Sequence, residues 1–310
     1  MSQYQSLSIV VPATSKQGRC INQCKFCVAR MVKEDYKNQM DINLPFYDLY
    51  LSDYIKRLNY ARDIGVDTVM LTGNIEPQQN RNFLMMFGIM NKLLDKPFRN
   101  IEIQTTGVNI DENYLRFLRN HVGVSTISLS ISSLSDTTNA SYNGTPKGYE
   151  VNIIDLCQKI KKYDFNLRLS INLTDSFKHL FYNYEAKEPY DWTNVKKQLD
   201  IFFDNLRSLY QADQIIFREL YSSDTNTPQD LWILEHKLSD GYVQTLMMYI
   251  MNGRIIGYMP YGNIKYNLNG MSVVLDRDCM NKNADGFKYL ILRENCKLYS
   301  QWDNPSSLVF

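Results

Sequence analysis

Short apolar runs alternate along the chain, up to about residue 225, with longer stretches whose apolar residues recur at helical spacing. Leu51, Ile55 and Leu58, for example, fall on one face of a predicted helix, and Asp111 is placed to cap another. The apolar runs have the length of strands and lie at residues 7–11, 68–72, 101–105, 126–131, 167–173 and 214–217. Strands that alternate with helices are typical of an α/β fold with a mainly parallel sheet.

The pattern changes after about residue 225. Thr227 followed by Pro228 predicts the start of a helix. Strand-like runs with short connections then follow at residues 254–258, 272–275 and 289–292. The sequence therefore predicts two parts: residues 1–225 with six βα repeats, and residues 226–310 as a small, mainly antiparallel C-terminal extension that completes or caps the first part.

Composition excludes some classes of function. The 310 residues are 44% hydrophobic and 22% charged, with a formal net charge of +1, as in an ordinary globular protein. A near-neutral chain gives no support for nucleic acid or an anionic membrane as the main partner. The sequence shows no apolar run near the ~18–20 residues that span a bilayer and no secretory signal at its start, so we expect a cytoplasmic protein.

The candidate chemistry lies in three cysteines near the start of the chain. Cys20, Cys24 and Cys27 have the spacing C-x3-C-x2-C, and the aromatic Phe26 precedes the third. Thiolates are the preferred protein ligands of iron–sulfur clusters. Three of them can hold three irons of a 4Fe–4S cluster and leave the fourth iron open to another ligand.

A structural zinc site is the alternative for these cysteines. Such a site usually has four ligands, and no fourth cysteine is close in sequence. The histidines His121, His179 and His236 are distant from one another. A non-catalytic metal-binding module therefore stays open as a second hypothesis.

The cysteine motif and the strand order together resemble the radical S-adenosylmethionine (radical SAM) superfamily, and most of all the branch of the molybdenum-cofactor GTP cyclase. The resemblance implies a partial (β/α)6 TIM-like barrel, one 4Fe–4S cluster and S-adenosyl-L-methionine (SAM) as cofactors. It implies reductive cleavage of SAM to a 5′-deoxyadenosyl radical, which abstracts hydrogen from a substrate. A flavodoxin or ferredoxin would supply the electron, and a small molecule or nucleotide is the favoured substrate, with a peptide as the alternative.

The resemblance also implies residue roles. Cys20, Cys24 and Cys27 correspond to the cluster ligands, and Phe26 to a residue near the adenine. The segment after the second strand resembles the Gly-Gly-Glu-Pro element that binds the methionine ammonium group. Its candidates are Gly73, Asn74 and Glu76, although Asn74-Ile75 stands where the family has a single glycine.

Further candidates follow on later strands. Ser130 corresponds to a residue that contacts the ribose or carboxylate of SAM, and Ser132 replaces the usual aspartate. Alternating residues on the fifth strand share one face, where an arginine could pair with the methionine carboxylate; these are Arg168, Ser170 and Asn172. Glu219 is a candidate for a substrate or structural role, and the sequence identifies no catalytic acid or base.

The tail departs from the cyclase pattern. The cyclase holds a second cluster there through three cysteines, whereas this tail has only Cys279 and Cys296, with Cys296 at a turn position. We therefore predict a single cluster. Cys157 lies among isoleucines at helical spacing and is predicted to be a core residue. Aromatic side chains near residues 181–192 and at Tyr258 and Tyr261 suit either a substrate lid or the core.

Overall fold

The secondary structure comes from a computed structural model, which describes residues 4–13, 19–41, 48–181, 192–223, 226–259, 262–277, 280 and 288–310. Eleven strands lie in these residues: β1 Ser6–Val11, β2 Thr68–Gly73, β3 Asn100–Thr105, β4 Thr126–Ile131, β5 Asn166–Asn172, β6 Gln214–Arg218, β7 Arg254–Tyr258, β8 Ile264–Leu268, β9 Met271–Asp276, β10 Tyr289–Leu292 and β11 Leu298–Tyr299. The same residues contain nine α-helices: α1 Glu34–Met40, α2 Leu51–Asp63, α3 Arg81–Lys92, α4 Glu112–Phe117, α5 Asp136–Tyr142, α6 Ile153–Lys162, α7 Trp192–Ser208, α8 Pro228–His236 and α9 Asp240–Ile250.

The chain divides into two compact units, of which the first contains residues 1–23, 27–128 and 280–310. Its strands follow the order β11-β10-β1-β2-β3, and all its pairs except β10–β11 are parallel. Leu7 of β1 is the partner of Val69 of β2, which in turn is the partner of Ile101 of β3. All three side chains are buried. This face of the sheet therefore forms part of the apolar core.

The second unit contains residues 24–26 and 129–279. Its strand order is β4-β5-β6-β9-β8-β7, with parallel β5–β6 and β6–β9 pairs and antiparallel β9–β8 and β8–β7 pairs. Phe203 of α7 packs edge to face on Phe217 of β6 and stacks on Tyr249 of α9. These aromatic contacts join the helices of this unit to its sheet.

All nine strands predicted from the sequence are present, with ends within one residue of the prediction. The Asp111 side chain accepts a hydrogen bond from the backbone N–H of Tyr114, which confirms the predicted cap of α4. Thr227 caps α8 as predicted, with Pro228 in its first turn. The boundary predicted after residue 225 stays a prediction.

Strands β8 and β11 are absent from the sequence prediction, although a signal for β8 exists. Asn269 and Gly270 both have positive φ and join β8 to β9 in a two-residue hairpin. An Asn-Gly pair between strand-like segments is a strong signal for such a turn. Helices α1, α5 and α9 are also absent from the prediction. Within the described residues, none of the helices is long and apolar enough to cross a membrane.

Candidate cofactor-binding site

Three free cysteines lie in the segment that follows β1. Cys20, Cys24 and Cys27 are partly exposed thiols. Burial raises the pKa of Cys20 to about 11, with a further contribution from the Glu76 carboxylate, and burial also raises the pKa of Cys27. A metal centre that binds these sulfurs must therefore displace their protons.

The donor type of this segment fits an iron–sulfur cluster. Thiolates are soft ligands, which suit iron–sulfur clusters better than they suit hard cations. Cys20 and Cys27 belong to the first unit, and Cys24 belongs to the second. Across the part of the chain that the structure describes, no group of three or more His, Cys, Asp or Glu side chains is arranged to hold a single metal ion.

The loop after β2 is fastened to the chain on both sides of Cys20. The Gln79 side chain accepts a hydrogen bond from the Ile21 N–H at 2.9 Å and donates one to the Arg19 carbonyl at 3.2 Å. The nearby Asn80 amide donates to the Pro12 carbonyl at 2.7 Å. These side-chain bonds fix the backbone around Cys20 relative to the carboxyl end of β2.

Glu76 is the centre of a buried network in the first unit. Its carboxylate accepts hydrogen bonds from four residues: Asn22 (3.2 Å), Gln78 (3.0 Å), Thr105 (2.6 Å) and Thr106, from both its hydroxyl (2.7 Å) and its N–H (3.2 Å). Because Asn22 lies between Cys20 and Cys24, the network joins the cysteine segment to the ends of β2 and β3. The side chain is only 6% exposed, so its oxygens are occupied mainly by the protein itself.

Gly73 occupies a position that no larger residue fits. It is the partner of Val11 at the end of the β1–β2 pair, and its φ is +155°. A Cβ atom there would lie 2.8 Å from the Val11 nitrogen and 2.9 Å from the Val11 oxygen. The close approach of the two strands therefore requires glycine, whatever the residue does for a cofactor.

Asn74 points its amide at acidic side chains. Its Nδ2 donates to Asp41 at 3.2 Å and to Glu294 at 3.5 Å. Arg293 also binds Asp41, through two contacts of its Nη2 at 2.8 and 3.1 Å. Burial, and then the nearby Asp41 charge, raises the pKa of Glu294 well above its usual value. The residue that departs from the family pattern is thus held by Asp41 and by Glu294 of the tail.

Two predicted residues of the second unit come together. Asn172, at the end of β5, donates from Nδ2 to the Ser130 hydroxyl at 3.3 Å and to the Ser132 hydroxyl at 3.1 Å. Ser170 and Asn172 are both buried. The neighbouring strands β4 and β5 therefore present a polar group of hydroxyls and one amide at their carboxyl ends.

Arg168 lies elsewhere on β5. Its Nε and Nη2 donate to the Gln214 side chain at 2.9 and 2.6 Å, and Gln214 is the first residue of β6. Four residues of strand separate Arg168 from Asn172, or about 13 Å at about 3.3 Å per residue. The predicted pairing of Arg168 with the methionine carboxylate stays a prediction.

Comparison with known proteins identifies the family. The model of the radical SAM superfamily matches residues 14–175, which is more than half of the chain. The chain belongs to the radical SAM superfamily. No curated protein sequence matches it significantly.

Among solved structures, this radical SAM protein is similar to SuiB of Streptococcus suis. One SuiB structure has a TM-score of 0.53 at 13% identity, and a second, bound to S-adenosylmethionine, has a TM-score of 0.52 at 15% identity. Both matches cover 96% of this chain and 60% of the SuiB chain. The likeness supports the fold alone, since the identities are low, and this chain spans about 60% of the length of SuiB.

The likeness to SuiB confirms the α/β fold of the partial TIM-barrel type with a mostly parallel sheet. Membership of the superfamily confirms the enzyme class, whose members use a 4Fe–4S cluster and SAM. An enzyme of this family also requires a substrate and a reductant. The assignment to the cyclase branch stays a prediction.

The remaining candidates of the radical SAM enzyme have ordinary surroundings. Glu219 accepts a hydrogen bond from Arg277. Cys157 is buried in α6, which confirms the predicted core role. Cys296 is buried with φ +63° between β10 and β11, in agreement with the predicted turn position.

Phe181 stacks on Tyr242, whereas Trp192 and Tyr258 are exposed. Four earlier candidates lie outside the described residues: Tyr182, Tyr184, Tyr190 and Tyr261. Cys279 lies outside them too.

Proposed function

We propose that Cys20, Cys24 and Cys27 hold a single 4Fe–4S cluster and that the enzyme abstracts hydrogen from a small polar molecule or nucleotide. When bound, the cluster and SAM supply reductive cleavage of SAM to a 5′-deoxyadenosyl radical. Gly73, Asn74 and Glu76 are the proposed contacts for the methionine ammonium group. Those for the ribose and the methionine carboxylate are Ser130, Arg168, Ser170 and Asn172, and Phe26 is proposed to contact the adenine.

One observation carries this proposal: the loop after β2 is bonded to the backbone on both sides of Cys20. An enzyme that must bind SAM beside a cluster needs the SAM-binding loop and the cluster ligands at a fixed separation. The Gln79 amide and the Glu76 network supply that restraint through neutral donors.

Within that site, Glu76 and Asn74 differ in their capacity to accept a hydrogen bond from SAM. Glu76 is nearly saturated by protein donors, so its role is chiefly to orient the loop. Asn74 is half-buried, and its NH2 group faces Asp41 and Glu294. Because an amide carries its oxygen on the opposite side from its NH2, this arrangement directs the Asn74 carbonyl away from the carboxylates as an acceptor for an ammonium group.

Two buried hydroxyls on the strands support the proposed substrate class. The hydroxyls of Ser8 on β1 and Ser128 on β4 are buried and lack a hydrogen-bond partner among the described residues. Buried hydroxyls are normally paired, so these two support a polar occupant, and the resemblance to the cyclase branch favours a small molecule over a peptide. We further propose a cytoplasmic enzyme with flavodoxin or ferredoxin as its electron donor, because free thiols persist in reducing compartments.

The test is anaerobic reconstitution of the full chain with iron and sulfide, followed by dithionite and SAM. We expect a broad visible absorbance, about four irons per chain and release of 5′-deoxyadenosine. Cys20→Ser, Cys24→Ser and Cys27→Ser should each lose cleavage, while Cys157→Ala, which changes a core cysteine, should retain it. Zinc in place of iron with no cleavage would favour the metal-binding module.

A second measurement addresses the substrate. Deuterated small-molecule and peptide fractions of a cell extract are supplied separately to the reconstituted enzyme. Deuterium in 5′-deoxyadenosine with the small-molecule fraction alone supports the proposal. Deuterium that appears only with the peptide fraction favours the peptide-modifying alternative. A different cleaved sulfur–carbon bond would show as another nucleoside product.

A further inference from the structure

Aromatic side chains from two distant helices gather around the middle of the cysteine segment, within the second unit. The Phe26 ring lies 5.8 Å from the ring of Trp232 on α8. Trp232 stacks on His236, 4.3 Å away and nearly parallel at 7°, and its ring meets the Tyr142 ring of α5 edge to face at 5.0 Å. Phe26 thus has a wall of aromatic rings behind it that no sequence motif indicated.

Polar contacts hold this wall in place. The Lys25 N–H donates to the Tyr142 carbonyl at 3.0 Å, so the cysteine segment is bonded to the last residue of α5. The Tyr142 hydroxyl donates to Asp175 at 2.7 Å. The His236 Nδ1 lies 2.9 Å from the Trp232 carbonyl oxygen. The Tyr142 and His236 rings are therefore each held by a polar atom of their own side chain, and the Trp232 ring is in contact with both of these rings.

We propose that Trp232 is a positioning residue for the adenine of SAM: it fixes the orientation of the Phe26 ring, which forms one side of the adenine pocket. This inference rests on the proposed function, in which Phe26 contacts the adenine. Trp232 itself need not touch SAM. A ring that is already held in one orientation loses little conformational entropy when a purine binds against its face.

Two other side chains of α8 provide controls for Trp232. Leu231 and Leu234 on α8 are 53% and 60% exposed, whereas Trp232 is half-buried against the cysteine segment. If α8 acted only as a general surface helix, truncation of any of these three side chains would have similar small effects on cofactor binding. If Trp232 supports Phe26, truncation of Trp232 alone should weaken the binding of the adenine half of SAM.

The experiment uses the reconstituted full chain and the two halves of SAM as probes. The dissociation constants of 5′-deoxyadenosine, methionine and SAM are measured anaerobically by calorimetry for the wild type, Trp232→Ala, Trp232→Phe and Leu234→Ala. Iron content is checked for each variant. We expect Trp232→Ala to bind 5′-deoxyadenosine and SAM roughly threefold to tenfold more weakly, the range expected for loss of an aromatic pair. Methionine affinity should be unchanged, because methionine lacks the adenine.

Rescue by the conservative variant separates positioning from a loss of fold. Trp232→Phe keeps a ring against Phe26 and should recover most of the affinity for 5′-deoxyadenosine, and Leu234→Ala should match the wild type. Equal loss of methionine and 5′-deoxyadenosine binding in Trp232→Ala would overturn the inference, as would unchanged binding of both. A wild-type enzyme that retains its cluster and binds neither SAM nor methionine would instead contradict the proposed function.

Discussion

Replacement of Gly73 by alanine tests the close approach of β1 and β2 that positions the candidate site. The added Cβ atom would lie 2.8 Å from the nitrogen and 2.9 Å from the oxygen of Val11, and both are backbone atoms that cannot rotate away. The φ of +155° is also unfavourable for a residue with a side chain. The two strands must therefore separate at their carboxyl ends, next to the loop that carries Glu76.

The expected loss in the free energy of unfolding is the sum of two contributions. A non-glycine residue in a sparsely populated backbone region costs about 1–3 kcal/mol. Overpacking in a rigid interior typically costs about 1–3 kcal/mol more. Gly73→Ala should therefore lower the free energy of unfolding by about 2–6 kcal/mol, a large share of the ~5–15 kcal/mol of an ordinary domain.

Gly257→Ala is the matched control, because nothing lies within 4 Å of its added Cβ and its φ is not positive. It should be neutral or raise stability by about 0.4–1 kcal/mol through the unfolded state. Urea unfolding, monitored together with hydrogen exchange of the β1 and β2 amides, gives both values. A Gly73→Ala protein within about 0.5 kcal/mol of the wild type would refute the reasoning, since changes of that size are typical of surface sites.

Two further substitutions, Asp230→Asn and Asn74→Asp, remove or add a carboxylate whose surroundings the structure shows. Burial alone would raise the pKa of Asp230, but hydrogen bonds from Thr227 and neighbouring groups outweigh it and hold the pKa below its usual range. Asp230→Asn should therefore lose about 1–2 kcal/mol of stability at neutral pH. The difference from the wild type should shrink as the pH falls below about 4, where the unfolded carboxyl takes up its proton; a pH-independent difference in unfolding free energy would contradict this. Asn74→Asp should set a third carboxylate beside Asp41 and Glu294, raise its own pKa and destabilise the protein more at about pH 8 than at about pH 5. Thermal unfolding at both pH values measures the effect, with Asn74→Ala, which adds no charge, as the control; equal losses at both would argue against charge repulsion.

Strand positions were predictable because the signal is local. Each predicted strand is a short run of apolar residues or of alternating apolar and polar residues, as in residues 126–131, and this pattern is recognisable without knowledge of the strand's partners. The cysteine spacing is equally local, since three ligands fall within eight residues. Helix α5 carried no such signal, because Asp136–Tyr142 is largely polar and forms its helix with a Ser135 cap.

The contacts that organise the site were not predictable. Gln79 and Arg19 are far apart in sequence, as are Phe26 and Trp232, and neither pair has a periodic pattern. A side-chain amide or an aromatic ring acquires its partner only when the fold brings it there. Sequence patterns therefore identified the motif residues, whereas the residues that hold them became visible only in the structure.

Two of the places where the sequence departs from the cyclase pattern, the loop after β2 and the tail, are in contact with each other. The loop after β2 has an extra residue, and the structure accommodates it by burying Ile75 and turning the Asn74 side chain toward the tail. The tail lacks the cysteines of a second cluster and instead presents Glu294, which accepts from the Asn74 amide. The extra residue of the loop after β2 and Glu294 of the tail are therefore parts of one contact in the first unit.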